Sequence, residues 1–326
     1  MLWKSRKRFV SSFAIAFLCV SLLSPTRAQE IDPNDIIRVN TDLVILDAQV
    51  IDKKTRKVFG GLRQRDFEIY EENVKQPIVY FSQDQLPLSV LLLLDISRSV
   101  APIIEQVGAG ANDALQRLKP EDEVAVMAFA DYPKLIQPFT KDRSVAADKI
   151  TEASRTFLGH GTYMVEALHQ AEQQMNNAGN PTNRRAIIVV TDNIAVSGRK
   201  FGTDKVINDL LESGTVVYGL VVRAAFGKVF NILSLGTIHG VDSYCEETGG
   251  EVLGADRKEV ASRLGEMFTR LRTRYTLGYR PPETNEEGAF RRVKVQLSPE
   301  ILKVNKKLVV RARHGYYFRK RARTIS

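Results

Sequence analysis

Cysteine is nearly absent from this sequence: 326 residues hold two, Cys19 and Cys245. Cys19 lies in an N-terminal stretch that reads as removable, so the mature chain keeps one thiol and no internal disulfide. Its stability has to come from a packed core. Cys245 sits in an apolar helical context and reads as a small buried hydrophobe, not a nucleophile. Histidine is scarce too, with four residues. Of these, His169, His239 and His314 are too scattered for a zinc site. No G-x-x-x-x-G-K-[ST] occurs, so there is no P-loop. No serine lies in a G-x-S-x-G turn of the kind that exposes a hydrolase nucleophile. Acidic side chains are missing from residues 1–28 and 301–326, which carry five and nine basic ones. Taking those fourteen from the total of 47 leaves 33 basic against 38 acidic side chains, a net of −5 for residues 29–300. The pI of about 9.5 therefore belongs to the two ends. A mildly acidic body argues against nucleic-acid binding, which needs basic residues clustered on a working face. Repeats and low-complexity tracts are absent. With 44% hydrophobic and 26% charged residues, the composition is that of a globular protein and excludes disorder, collagen and a multi-span membrane protein.

What the N-terminus does contain is an address. Lys4 to Arg8 is basic, and Phe9 to Leu23 is a charge-free stretch of 15 residues. Pro25-Thr26-Arg27-Ala28 follows, with a small residue before the expected cut. This is the pattern of a secretory signal. The alternative, an uncleaved anchor, would need roughly 20 apolar residues to span a bilayer. Phe17 and Leu18 are too bulky to precede a lipid-modified cysteine at Cys19. The expected mature N-terminus is Gln29, and the chain is expected to be exported, to the periplasm or beyond.

The mature chain divides into three zones. Residues 36–82 read as strands: Val39, Leu43, Ile45, Ala48 and Val50 sit among polar residues, and Asp66 to Tyr70 alternates with period two. Residues 88–274 alternate between strand and helix. Val90 to Leu94 is a continuous apolar run, as in a strand buried on both faces. Val124 to Ala130, Ala186 to Val190 and Val216 to Val222 are further strands. Helical stripes run over 100–118, 146–157, 164–175, 206–211 and 260–271, the last preceded by Asp256 and Glu259 in capping-box spacing. Such alternation implies a mostly parallel sheet covered by helices. Residues 275–318 return to strand character. Each flank is too short to form an independent sheet domain. The expected fold is therefore α/β, a doubly wound, mostly parallel sheet inserted in a small β-sandwich built by both flanks. Two unrelated β extensions are the alternative. Residues 319–326 form a basic tail, solvated or weakly attracted to an anionic lipid or polysaccharide surface.

Two apolar strands end in acids. The run 90–94 leads into Asp95-Ile96-Ser97-Arg98-Ser99, and the run 186–190 into Thr191-Asp192. An aspartate directly after four leucines is costly unless something pairs with it. In a parallel sheet the carboxyl ends of the strands form the ligand crevice. Between these segments lies Leu158-Gly159-His160-Gly161-Thr162, a glycine-rich loop delivering a hydroxyl to the start of a helix. The candidate set is Asp95, Ser97, Ser99, Thr162 and Asp192. These are hard oxygen donors, suited to Mg²⁺, Mn²⁺ or Ca²⁺.

D-x-S-x-S at Asp95, Ser97 and Ser99, the Gly-Thr loop at Thr162, and Thr191-Asp192 together resemble the metal-ion-dependent adhesion site of von Willebrand factor A domains. The resemblance covers residues 88–274. Outside that span, Gly61-Leu62, Asp66-Phe67, Tyr275-Thr276-Leu277-Gly278-Tyr279 and Gly315-Tyr316-Tyr317 resemble an exported, acidobacterial-type subgroup of A-domain proteins, as does Thr248-Gly249-Gly250 within it. The resemblance implies that Ser97, Ser99 and Thr162 give hydroxyl oxygens to a divalent cation, Mg²⁺ first, and that Asp95 and Asp192 supply charge directly or through water. It also implies that the cation takes an acidic side chain from a protein partner, as in cell adhesion. Asn193 stands where the family usually has glycine, and His160 separates the loop glycines. Both reshape the rim without removing a ligand.

The expected function is thus a non-enzymatic, exported binding module. The alternative is a structural subunit of an envelope assembly whose metal only stabilises the fold. A hydrolase triad of Ser97 or Ser99 with His160 and Asp192 is a third reading, and it lacks the nucleophile turn and oxyanion hole that such chemistry needs.

Overall fold

The computed structural model describes residues 43–83, 86–180, 184–194, 200–222, 240–282 and 288–318. The expected leader and its cut at Ala28, Val39, His239 and the basic tail lie outside them. Among the described residues, no helix is long and apolar enough to cross a membrane.

The centre of the molecule is a six-stranded sheet. It comprises β5 (Ser89–Asp95), β6 (Glu123–Phe129), β7 (Pro133–Thr140), β8 (Arg185–Thr191), β9 (Thr215–Val222) and β10 (Val252–Ala255), in the order β10-β9-β8-β5-β6-β7. All pairs are parallel except the antiparallel edge pair β6–β7. The apolar run of β5 is buried throughout, and its period-two alternation divides it between two cores. Val90, Leu92 and Leu94 face α1 (Ala101–Leu115), α2 (Arg143–Ala153) and α6 (Val260–Arg272). Leu91 and Leu93 face α3 (Met164–Met175), α4 (Thr203–Ser213) and α5 (Val241–Thr248), where Cys245 is buried as a small apolar group. At the start of α2, the Asp142 carboxylate accepts bonds from the Ser144 and Val145 amides, a side-chain cap for donors that a helix start leaves free.

Both flanks build two further antiparallel sheets. One, β13-β1-β11-β4, joins β1 (Val44–Asp52) and β4 (Tyr80–Gln83) to β11 (Tyr275–Tyr279) and β13 (Leu308–Arg311). The other, β14-β12-β2-β3, joins β2 (Phe67–Glu71) and β3 (Val74–Gln76) to β12 (Phe290–Leu297) and β14 (Gly315–Tyr317). Leu46, Phe67, Ile69, Tyr275, Tyr279 and Val293 share one core between these sheets. Inside it Glu71 accepts bonds from Tyr279, from Tyr316 at 3.1 Å and from Arg291 at 2.6 Å. The fold is the expected one: a doubly wound, mostly parallel sheet inserted into a β-sandwich shared by the two flanks.

Some local expectations differ. Asp256 opens a short 3₁₀ turn, Arg257–Glu259, and its side chain makes no capping bond; the α-helix begins at Val260. The capping-box spacing therefore marks a tighter turn ahead of the helix, not the helix start. Strand β7 went unread because it is a half-exposed edge strand holding Pro133 and Pro138. The C-terminal flank also contains a six-residue helix, α7 (Pro299–Val304), too short to show a stripe.

Candidate metal centre

Three adjacent strands, β8, β5 and β6, end at the same edge of the central sheet. Asp95 is the last residue of β5 and is fully buried. Its Oδ1 accepts the Ser97 amide at 3.0 Å, and its Oδ2 accepts the Thr191 hydroxyl at 2.7 Å. Burial is the largest influence on this carboxyl; the hydrogen bonds from Ser97 and Thr191 oppose it and the charge of Asp192 adds to it, leaving its pKa pushed up to about 7. The Ser97 and Ser99 hydroxyls lie 3.4 Å apart, the first buried and the second exposed. The two serines and Asp95 therefore form one compact turn.

Asp192 follows β8 and is 9% exposed. Its Oδ1 accepts the Ile194 amide at 3.1 Å, while its buried Oδ2 has no hydrogen-bond partner among the described residues. Among the described residues, no lysine, arginine or histidine forms an ion pair with Asp95 or Asp192. Thr162 is 5% exposed and lies two residues before α3. Its loop is held to the end of β6: the Tyr163 amide donates to the Ala130 carbonyl at 3.0 Å, and the Asp131 amide to the Leu158 carbonyl at 3.0 Å. The Asp131 carboxylate accepts the Gly161 amide at 2.8 Å. Gly159 has φ +105°, and a Cβ there would stand 2.1 Å from Asp131 Oδ2. Both reasons require glycine at that position.

Asp131 and Thr191 are the residues that the sequence reading left without a role. The signal for Thr191 was its place beside Asp192 at a strand end. Asp131 carried a comparable signal, since it follows the second apolar strand directly. Asn193 has φ +64°, a left-handed conformation that asparagine tolerates better than most side chains. Its side chain ties the loop to the start of α5: Oδ1 accepts the Val241 amide at 2.7 Å, and Nδ2 donates to Asp242 at 2.8 Å. His160 faces solvent with its ring 5.3 Å from that of Phe157. Among the described residues it makes no hydrogen bond to Ser97, Ser99 or Asp192, so the hydrolase triad is not assembled. No group of three or more His, Cys, Asp and Glu side chains comes together among these residues either. The donors at this edge are two carboxylates supplemented by hydroxyls, a chemistry that fits a hard divalent cation. The unpartnered Asp192 oxygen is the free acceptor such a cation would use.

Residues 90–195 match the family model of the von Willebrand factor type A domain. Domains of this type are, in general, non-catalytic modules of protein interaction and adhesion. Solved A-type structures are also similar to this chain. BatB from Bacteroides thetaiotaomicron is 18% identical, covering 56% of this chain and 98% of its own, with a TM-score of 0.43. The A-type domain from Catenulispora acidiphila is 13% identical, covering 72% and 70%, with a TM-score of 0.44. The corresponding domain of the type V pili tip protein Mfa5 from Porphyromonas gingivalis is 13% identical, covering 56% and 94%, with a TM-score of 0.40. No curated protein sequence matches the chain.

Proposed function

We propose that the A-type domain of this chain holds a divalent cation, Mg²⁺ first and otherwise Mn²⁺ or Ca²⁺, and uses it to bind a protein partner. Ser97, Ser99 and Thr162 contribute hydroxyl oxygens, and Asp95 and Asp192 contribute charge. The observation that carries this reading is the pair of buried carboxylates that have no cationic partner among the described residues. Placing anionic oxygens in a protein interior without compensation is costly, and the Asp192 Oδ2 atom lacks even a hydrogen bond. A cation bound mainly through neutral hydroxyls remains electrophilic, so an acidic side chain from the partner completes its shell. The leader-like N-terminus places this activity outside the cytoplasm after cleavage following Ala28.

The test is thermal unfolding of the mature chain in EDTA and in saturating Mg²⁺, for the wild type and for Asp95→Ala. A Mg²⁺-dependent rise in the wild type that the variant lacks is the expected result. Equal behaviour of the two proteins would refute the site. If the rise is present but partner binding survives chelation, the cation serves the fold alone.

A further inference from the structure

Large apolar side chains exposed to solvent are unevenly placed on the A-type domain. Among its described residues they are Tyr132 (55% exposed), Val145 (38%), Phe157 (72%) and Ile194 (44%). Val145 lies on α2, away from the site loops. The other three stand on the loops that build the candidate metal centre. Tyr132 follows Asp131, whose carboxylate holds the glycine loop through the Gly161 amide. Phe157 precedes that loop at Leu158, the residue whose carbonyl accepts the Asp131 amide at 3.0 Å. Ile194 donates its amide to Asp192 at 3.1 Å. Arg98, between the two site serines, is exposed on the same turn.

A single exposed apolar residue needs no explanation; three on the loops around one buried carboxylate pair rim a polar centre. Aromatic anchors beside a desolvated charged contact are the usual make-up of the energetic centre of a protein interface. Phe157 meets the His160 ring edge-on and leaves most of its surface free for a partner.

We infer that this rim selects the partner. The segment it fits carries an acidic side chain for the cation and, within three residues of it, an aromatic or branched aliphatic side chain that packs on Phe157 and Tyr132. Charge complementarity sets the first requirement, because the cation and Arg98 both favour an anion. The exposed rings set the second. The inference rests on the cation reading above and adds the partner's chemistry to it.

The experiment titrates the mature chain, in Mg²⁺ and in EDTA, with synthetic peptides in which Asp is followed at one to three positions by Phe. Matched peptides carry Ser for Phe, or Asn for Asp. The best Asp–Phe peptide should bind at least about tenfold more tightly than its Ser counterpart, as burial of an aromatic ring allows. It should lose binding in EDTA and when Asp becomes Asn. Phe157→Ser should collapse the Phe preference below about threefold while leaving the Mg²⁺-dependent melting shift intact. Val145→Ser, an exposed apolar change away from the site, should leave the preference unchanged. If Mg²⁺ raises the melting temperature but the Phe and Ser peptides bind equally, or neither binds, the inference fails and the cation reading stands. If Mg²⁺ produces no shift, the cation reading itself fails and the inference falls with it.

Discussion

The two ends of the central sheet treat buried carboxylates in opposite ways. At the amino-terminal end, Asp122 is fully buried, and it accepts the Leu88 amide at 2.8 Å, the Lys119 amide at 2.8 Å and the Arg272 guanidinium at 2.9 Å. Glu123 beside it accepts the Ser89 hydroxyl at 2.6 Å and the Asn180 amide at 3.0 Å. Arg184, also buried, donates to the Leu86 and Leu271 carbonyls and lies 3.4 Å from Asp47 of the sandwich. Asp122 thus has a positive charge and Glu123 a set of donors. At the carboxyl-terminal end, Asp95 is equally buried but has only uncharged donors among the described residues, and one oxygen of Asp192 has none there. A paired buried charge belongs to the architecture. An uncompensated one calls for an explanation, and the proposed cation supplies one.

The sharpest way to break the comparison is to remove the acid at the paired end. Asp122→Ala leaves Arg272 buried beside an empty position, and breaking a buried pair from one side costs about 3–5 kcal/mol. Chemical denaturation should show that loss whether or not Mg²⁺ is present. The same change at the other end, Asp95→Ala, should cost little in EDTA, because the carboxylate it removes is itself unfavourable there. What it should abolish is the gain from Mg²⁺, about 2.7 kcal/mol for the wild type at a hundredfold excess over Kd. Thr162→Ala keeps the charge and removes one hydroxyl, so it should reduce that gain without eliminating it. A Mg²⁺ response that survives Asp95→Ala, or an Asp122→Ala protein as stable as the wild type, would erase the distinction between the two ends.

Smaller effects sharpen the picture. Asn193→Gly frees the Val241 amide and the Asp242 carboxylate. It should cost only a few tenths of a kcal/mol, the usual cost of replacing a capping side chain by glycine, since glycine also suits the left-handed φ of +64°. Hydrogen exchange should then be faster in the first turn of α5. Phe157→Ser should leave global stability within about 0.5 kcal/mol, as expected for an exposed side chain; a larger drop would mean that the ring supports the glycine loop instead of standing free.

Much of this was legible in the chain. The apolar runs of β5, β6, β8 and β9 announce buried parallel strands, and the acids that end two of them mark the edge proposed to bind the cation. The D-x-S-x-S turn is local, so Asp95, Ser97 and Ser99 fall together whatever the rest does. Thr162 and Asp192 were legible only as strand and loop ends whose convergence a parallel sheet implies. The flanking sandwich was legible because neither flank could bury its own alternating face. Asp131 holding Gly161 and Asn193 holding Val241 were not, since they join positions 30 and 48 residues apart. Helix α5 was legible only as the helical context of Cys245, because eight residues hold too few turns to display a stripe.

Local pattern alone determined most of the strands and helices, which faces are apolar and where the carboxylates stand along the chain. It could not determine which carboxylates are neutralised. Asp122 precedes one buried strand and Asp95 ends another; the D-x-S-x-S turn marks Asp95 as a candidate ligand, but nothing local says which of the two acids a cationic side chain reaches. The fold decides it by bringing Arg272 to Asp122 from 150 residues away, while no cationic side chain among the described residues pairs with Asp95 or Asp192. The reason is electrostatic. The cost of a buried charge depends on what lies within a few ångströms of it, and only the tertiary structure sets that distance.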